Sequence, residues 1–348
     1  MEDIKSYRWR TVSQLKMEKT ISIIVTSYTT ERLNDIMELL ASINAQIYTN
    51  IETVFVAERS RELHEMVKAQ EQNIPNLKVV FNVDKPGISA ARNLGIKEAN
   101  GGIIAFIDDD AVLSPQWAEE TAKAYARDAS VVGLTGPILP LWEDPSMIWF
   151  PREFYWIFAC TYHDWTEPRE VRNGYGTNIS FRREAFDDGE LFPTYLGSER
   201  GSESGQQKTT AEETELSLRV RQKTGKHIIY NPNIIVNHKV RKFRLTRAYI
   251  RKRAYMEGCS KILIKKHSKD NFKGERLLQT EYALLNRIFL RLLPSILKEF
   301  FTNPSIAWRR LSVTAIVLSA IAVGYLSYFF RDTPNKRTLS SKQTEPVT

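Results

Sequence analysis

GIIAFIDDD, residues 102–110, sets an uncharged, isoleucine-rich run directly against three aspartates. A run this short and this apolar suits a strand buried on both faces of a parallel sheet. Outward from it, TISIIVT at 20–26, TVFVA at 53–57 and LKVVFN at 77–82 read as three further strands of the same kind. Helical segments lie between them. Residues 31–47 carry Leu33, Ile36, Met37, Leu40 and Ile43 at helical spacing, and residues 62–71 and 89–99 complete the alternation. Such alternation predicts an α/β fold, a Rossmann-like and mostly parallel sheet with helices on both faces. Ligands of such sheets bind at the carboxyl ends of the strands.

Asp108, Asp109 and Asp110 stand at such an end. Three consecutive acids after a buried strand are costly unless something cationic compensates them. Alternate residues of an extended segment point the same way, so Asp108 and Asp110 can face one site while Asp109 faces elsewhere. Two carboxylates of this kind suit a Mg²⁺ or Mn²⁺ ion that also holds a diphosphate. A solvated acidic turn capping the next helix is the other reading, and this stretch alone leaves both open.

The whole chain has 348 residues, 42% hydrophobic and 26% charged, values that exclude wholesale disorder and a collagen-like fibre. Two cysteines, Cys160 and Cys259, cannot build a disulfide framework. The net charge of +8 conceals a division. Residues 1–238 hold 26 Lys+Arg against 34 Asp+Glu, whereas residues 239–348 hold 23 against 7. Within 239–269 there are 12 basic residues and one acid, Glu257, interleaved with Phe243, Tyr249 and Tyr255.

Further on, LSVTAIVLSAIAVGYLSYFF at 311–330 runs 20 residues without a charge, long enough for a hydrocarbon core of about 30 Å. Arg309, Arg310 and Arg331 bracket it, and Tyr325 and Tyr328 lie near one end as interfacial anchors do. One transmembrane helix is expected here, a buried core helix being the alternative. YALLNRIFLRLLPSILKEFF at 282–301 carries Arg287, Arg291, Lys298 and Glu299, which suits an amphipathic helix lying in the interface plane. Beside these, the basic segment is expected to meet anionic lipid headgroups, at roughly 1 kcal/mol per basic residue. Nucleic acid would use a similar patch but is not the expected partner.

With ISIIVTSY at 21–28, GISAARNLGI at 87–96, FIDDDAVL at 106–113, GTNISFRREAF at 176–186 and AEETELSLRVRQKTG at 211–225, in this order, the chain resembles the family 2 glycosyltransferases of GT-A fold. Within them it is similar to the archaeal-type enzymes that extend lipid-linked glycans. The resemblance covers roughly residues 20–260 and implies roles for particular residues. Thr26 and Tyr28 match the nucleobase wall. Glu58 stands where the family usually has an Asp that recognises uracil or ribose, which leaves the base open. Arg92 and Asn93 match the segment beside the nucleotide, where a guanidinium complements phosphate. Asp108 and Asp110 match the motif that holds ribose and the metal-diphosphate. Glu213 aligns with the general base, one methylene longer than the usual Asp; a carboxylate base must be ionised and within about 3 Å of the attacking hydroxyl. Glu212 and Glu215 also read as acids opening a helix. His238, after NIIVN at 233–237, is either a metal or diphosphate contact or a structural histidine. Asn178, Trp142 and Glu212 are expected in the acceptor or donor-sugar pocket; Phe181 is either there or in the core. The Gly/Ser/Gln-rich stretch at 196–210 is either a mobile lid or an ordinary insert.

The resemblance thus implies a metal-dependent (Mg²⁺ or Mn²⁺) inverting transfer. The donor is a nucleoside-diphosphate sugar, a UDP-sugar first, and the acceptor a hydroxyl of a polyprenyl-(di)phosphate-linked glycan. A polyprenyl-phosphate monosaccharide synthase and a catalytically silent sugar-nucleotide binder are the alternatives. The expected organisation is an N-terminal extension at 1–19, a GT-A catalytic domain at 20–238, a basic and amphipathic membrane-surface segment at 239–301, a transmembrane helix at 311–330 and a polar tail at 331–348. The charged N-terminus has no apolar signal-peptide core, so a cell-membrane, single-pass protein with a cytoplasmic catalytic domain is expected.

Overall fold

The computed structural model describes residues 7, 9, 19–83, 86–187, 189, 191–194, 212–271 and 279–331. The expected lid at 196–210, most of the 1–19 extension and the tail beyond Arg331 lie outside the described residues.

The four expected strands form as β1 (Ile21–Ser27), β2 (Ile51–Glu58), β3 (Leu77–Asn82) and β4 (Ile103–Asp108). Helices α1 (Leu33–Asn44), α2 (Arg61–Lys68) and α3 (Ile88–Glu98) connect them. β5 (Ala111–Leu113) follows the aspartates, and then α4 (Trp117–Arg127), β6 (Val131–Thr135), β7 (Ile138–Trp142), β8 (Arg169–Glu170), β9 (Ile179–Arg182), α5 (Glu212–Thr224), β10 (His227–Tyr230) and β11 (Val236–Val240). The main sheet has the order β3-β2-β1-β4-β9-β6-β10-β8. It is parallel except at β9, antiparallel to both β4 and β6, and at the edge strand β8. A small second sheet, β5-β11-β7, sits across the ends of β4 and β6.

Both faces of the main sheet are covered. Along β1, Ile21, Ile23 and Val25 enter one core with Phe55 and Trp117, whereas Ile24 enters the other with Val56, Phe106 and Phe181. Phe181 is therefore a core residue. Each such side chain contributes on the order of 1.5–3 kcal/mol by burial, which is why the strands read as continuous apolar runs.

The strand-like run NIIVN at 233–237 forms its strand three residues later, as β11. Asn231 Oδ1 accepts from the Asn233 amide and starts a turn in which Ile234 is buried. β11 also runs past the expected domain boundary at 238, its Lys239 amide donating to the Asp110 carbonyl at 2.9 Å.

Four helices follow: α6 (Arg247–Asn271), α7 (Gln279–Arg287), α8 (Leu293–Glu299) and α9 (Pro304–Arg331), with a π turn at Ile288–Leu292 between α7 and α8. Ile288, Leu292 and Ile296 pack with Phe150, Phe154, Phe158 and the α9 residues Val313 and Val317 in a third core. Phe289, Leu290, Leu297 and Phe301 point away from it and are exposed, the two-faced pattern expected of residues 282–301. Within α9 the segment Pro304–Ser327 is the one helix among the described residues long and apolar enough to cross a membrane. It packs closely on α6. A Cβ on Gly258 would lie 2.2 Å from the Ile321 carbonyl oxygen, and one on Gly324 would lie 2.1 Å from that of Tyr255. Small residues at such a crossing let two helix backbones touch.

Candidate active site

β4 ends at Asp108, and its pairing with β1 sets Thr26 opposite Asp108. The chain turns through Asp109 and Asp110 into β5, so the alternation expected of the three acids is realised. Asp109 is buried and paired to Arg32, on the turn that opens α1. Asp108 and Asp110 gather with His238 of β11, Asp110 keeping its second oxygen within reach of Arg32.

The second sheet places that histidine. β11 runs antiparallel to β5 with His238 opposite Ala111. His238 Nε2 lies 2.8 Å from Asp110 Oδ1, Arg244 Nη2 donates to Asp110 Oδ2 at 2.7 Å, and Arg32 Nη1 lies 3.2 Å from the same oxygen. Burial alone would raise the Asp110 pKa, but His238, Arg244 and Arg32 together hold it well below the usual carboxylate range. Burial alone would lower that of His238; the Asp110 carboxylate, with the Cys160 thiol 3.8 Å from Nδ1, holds it well above the usual value. Asp108, Asp110 and His238 each offer one ligand atom, all within 4.8 Å of one another. Two carboxylate oxygens and one imidazole nitrogen at that spacing fit a divalent cation.

Arg92 on α3 is buried between three acids. Its Nη1 donates to Glu213 Oε1 at 2.8 Å and lies 3.6 Å from Glu212 Oε1, and its Nη2 lies 3.5 Å from Asp108 Oδ1. Burial works against the guanidinium charge, but Glu213, Asp108 and Glu212 outweigh it and raise the pKa. Asp108 Oδ2 accepts from the Thr177 hydroxyl at 2.5 Å. The main chain closes tightly over this pair: a Cβ on Gly176 would lie 2.1 Å from Arg92 Nη2 and 2.3 Å from Glu213 Oε1.

Glu212 and Glu213 open α5, and their environments diverge. Glu213 is 18% exposed and ion-paired. Glu212 is buried, and its Oε2 has no hydrogen-bond partner among the described residues. Burial and the neighbouring Glu213 push the Glu212 pKa up to about 8 against the pull of Arg92. At neutral pH Glu212 is therefore the neutral acid, while Glu213 is the one ion-paired to Arg92.

A groove of about 2650 Å³ contains this end of the sheet. Tyr28, Arg32, Arg92, Asp108, Thr177, Glu212, Glu213 and Arg244 line it, and it continues past Phe154, Trp156 and Trp165 to the walls of α6, α7 and α9. Several expected site residues are placed elsewhere. The Asn93 amide donates to and accepts from the main chain of Phe192. Asn178 is buried, accepting from the Trp117 indole and donating to the Ile234 carbonyl. Trp142 packs edge-on against Tyr155 and Phe158. Glu58 accepts from the Gly87 amide and so fixes the start of α3. The aromatic-rich residues 137–165 divide their work, Phe150 and Phe158 being core, while Trp156, Tyr162 and Trp165 reach the groove.

The basic segment is also spoken for in part. Lys239 and Arg241 pair with Asp35 of α1, and Arg244 with Asp110. These pairs tie the end of β11 and the turn after it to α1 and to the aspartate turn. Arg32, Thr177 and Arg244 escaped the reading of the sequence. Thr177 sits beside Asn178 in the turn that precedes β9, where no strand alternation marks which side chain faces the site.

Comparison with known proteins agrees with this geometry. The Glycosyl transferase family 2 profile matches residues 22–189. The glucosyl-dolichyl phosphate glucuronosyltransferase of Haloferax volcanii is 30% identical over 316 residues, 90% of this chain and 97% of that protein. The succinoglycan biosynthesis protein ExoM of Rhizobium meliloti is 25% identical over 246 residues, 68% of this chain and 72% of that one. The mannosyltransferase PcManGT of Pyrobaculum calidifontis, solved with GDP-Man and Mn²⁺, superposes with a TM-score of 0.60 over 92% of this chain and 90% of that one at 19% identity, a likeness of fold. With the motif series running through a sheet of this topology and a 30% identical relative matched over nearly its whole length, the chain belongs to glycosyl transferase family 2 and has the GT-A fold.

Proposed function

We propose that this glycosyltransferase works at a membrane, moving a sugar with inversion from a nucleoside diphosphate to a hydroxyl of a polyprenyl-phosphate-linked glycan. One observation carries the reading. A single groove joins the Asp108–Arg92–Glu213 end of the sheet to the apolar walls of α7 and α9, among them Leu284, Ile288, Leu318 and Ile321. A sugar nucleotide suits the first end and a prenyl chain the second. The Haloferax volcanii relative, whose name describes a glucosyl-dolichyl phosphate acceptor, supports the same assignment.

Asp108, Asp110 and His238 would hold the cation, and the imidazole nitrogen favours Mn²⁺ over Mg²⁺. Once bound, the ion supplies Lewis-acid stabilisation of the departing diphosphate. Arg32 and Arg244 add positive charge at that point of the groove, and Tyr28 at its mouth suits the nucleobase, with Thr26 and Glu58 at the neighbouring strand ends. Glu213, ion-paired to and oriented by Arg92, takes the proton of the acceptor hydroxyl. A phosphate acceptor would need no such base, since its oxygen is already anionic, so Glu213 favours a sugar hydroxyl. α9 anchors the enzyme.

The test is transfer in membranes carrying the full chain, incubated with labelled UDP-, GDP- and dTDP-sugars and Mn²⁺ and then extracted with solvent. Label in the lipid phase that is absent with Asp110→Ala and with Glu213→Gln supports the reading. Label that goes to protein or polymer would sink it.

A further inference from the structure

Between the reaction centre and the apolar walls the groove carries a second charged cluster that the reaction does not use. Arg172 Nη1 lies 3.1 Å from Glu281 Oε1, and Lys261 Nζ lies 2.5 Å from the same oxygen and 2.6 Å from Glu257 Oε1. Burial alone would lower the Lys261 pKa, but Glu257 and Glu281 outweigh it and raise it, so the ammonium is charged. Arg253, Arg287 and Arg291 line the same part of the groove, and the cluster is cationic on balance. Tyr162 and Tyr175 line it too, and neither hydroxyl makes a hydrogen bond to the protein among the described residues. Two convergent cations and two spare O–H donors form a receptor for an oxyanion, and the Glu281 carboxylate stands where that oxyanion would bind.

We propose that Arg172 and Lys261, with the hydroxyls of Tyr162 and Tyr175, bind the phosphate of a prenyl-linked acceptor whose hydrocarbon tail leaves between α7 and α9. The assignment rests on the lipid-linked acceptor argued above. The spacing gives it a further consequence. Gly176, against which the Arg92–Glu213 pair packs, is four residues from Arg172, so their Cα atoms are at most roughly 14 Å apart. A phosphate at Arg172 therefore lies close along the chain to the reaction centre, which favours a short sugar moiety over an extended glycan between the two. A short phospho-sugar lipid is the acceptor class that fits.

Binding tests this apart from turnover. The full chain in detergent is titrated with a polyprenyl phosphate, with the matching polyprenol and with inorganic phosphate. The phosphorylated lipid is expected to bind at least tenfold more tightly than the alcohol. Arg172→Gln and Lys261→Gln should each reduce that preference below threefold, and Lys261→Arg should restore it. Glu281→Gln, which removes the competing carboxylate, should tighten phosphate binding, a gain that a merely misfolded variant cannot give. Equal affinity for alcohol and phosphate, no effect of the glutamine variants, or inorganic phosphate binding as tightly as the lipid would each overturn the assignment. Phosphate-selective lipid binding with no transfer to lipid would keep this site and refute the proposed reaction.

Discussion

Arg92 and Glu213, 121 residues apart in sequence, meet at 2.8 Å in a pair whose guanidinium is 3% exposed. The pair decides which of two adjacent glutamates can work as a base. Glu213 carries the ion pair, whereas Glu212, pushed up to about 8 by burial and by Glu213 itself, is neutral at pH 7.

It follows that Glu213→Gln lowers kcat by about 10²–10⁴-fold, the usual scale of a lost general base, with the donor KM within threefold of wild type. Glu212→Gln, an isostere of the neutral acid, keeps kcat within threefold at pH 7. Steady-state kinetics of both variants settle the assignment, and an equal loss in the two would refute it.

Gly176→Ala places a methyl group 2.1 Å from Arg92 Nη2 and 2.3 Å from Glu213 Oε1, so the ion pair must shift from its present position. A tenfold or greater fall in kcat is expected, together with destabilisation of about 1–3 kcal/mol from overpacking. Unchanged kinetics with a lowered melting temperature would mean that the pair tolerates the shift.

A cation on Asp108, Asp110 and His238 has a thermal signature. Mn²⁺ at about 100 times its Kd should stabilise the fold by about 2.7 kcal/mol, and excess EDTA should abolish transfer. Asp110→Ala should lose the Mn²⁺-dependent rise in Tm. It should also be less stable without metal, by about 3–5 kcal/mol, because it strands His238 and Arg244 around a missing charge. A Tm that responds to Mn²⁺ equally in wild type and Asp110→Ala would place the ion elsewhere.

His163 sets a pH dependence of its own. It stacks on the Trp165 ring at 3.6 Å, and burial, with Arg152 and Arg287 nearby, pushes its pKa down to about 3. Between that value and the unfolded value near 6.5 the unfolded chain binds the extra proton, so stability falls as pH drops below about 6.5. The slope from this group is at most about 1.4 kcal/mol per pH unit. His163→Phe, which keeps a ring on Trp165, should lose less stability than wild type between pH 7 and pH 5.5 in urea unfolding. An identical loss would show that His163 does not titrate in this window.

The parallel strands were legible because β1, β2 and β4 bury both faces and must read as apolar runs. The insertion of β9 between β4 and β6 was not, since chain order does not say which strand edge a later segment will find. The site shows the same division. Asp108, Asp110, Arg92 and Glu213 carry short-range motifs, and His238 was in view. Arg32 and Arg244 were hidden, because each becomes a site residue only through a partner far along the chain. Asn93, Asn178 and Trp142 sit in or near those motifs yet spend their hydrogen bonds and rings on Phe192, Trp117 and Tyr155. A motif shows that a residue is needed but not whether it faces a ligand or its own backbone. The basic segment shows the same limit: a count of charges along residues 239–269 cannot see that Lys239 and Arg241 answer Asp35, more than two hundred residues upstream.

The contact between His238 and Asp110 closes a loop of 128 residues, and that between Arg244 and Asp110 a loop of 134. During synthesis at about 5–20 residues per second, the aspartates leave the ribosome on the order of ten seconds before the residues that complete their site. For that interval a nascent chain carries three adjacent acids with neither their histidine nor one of their arginines. All eight described strands of the main sheet precede β11, but the Asp108–Asp110–His238 cluster belongs only to the chain that has reached its basic half, so a cation bound there would mark the late completion of the domain.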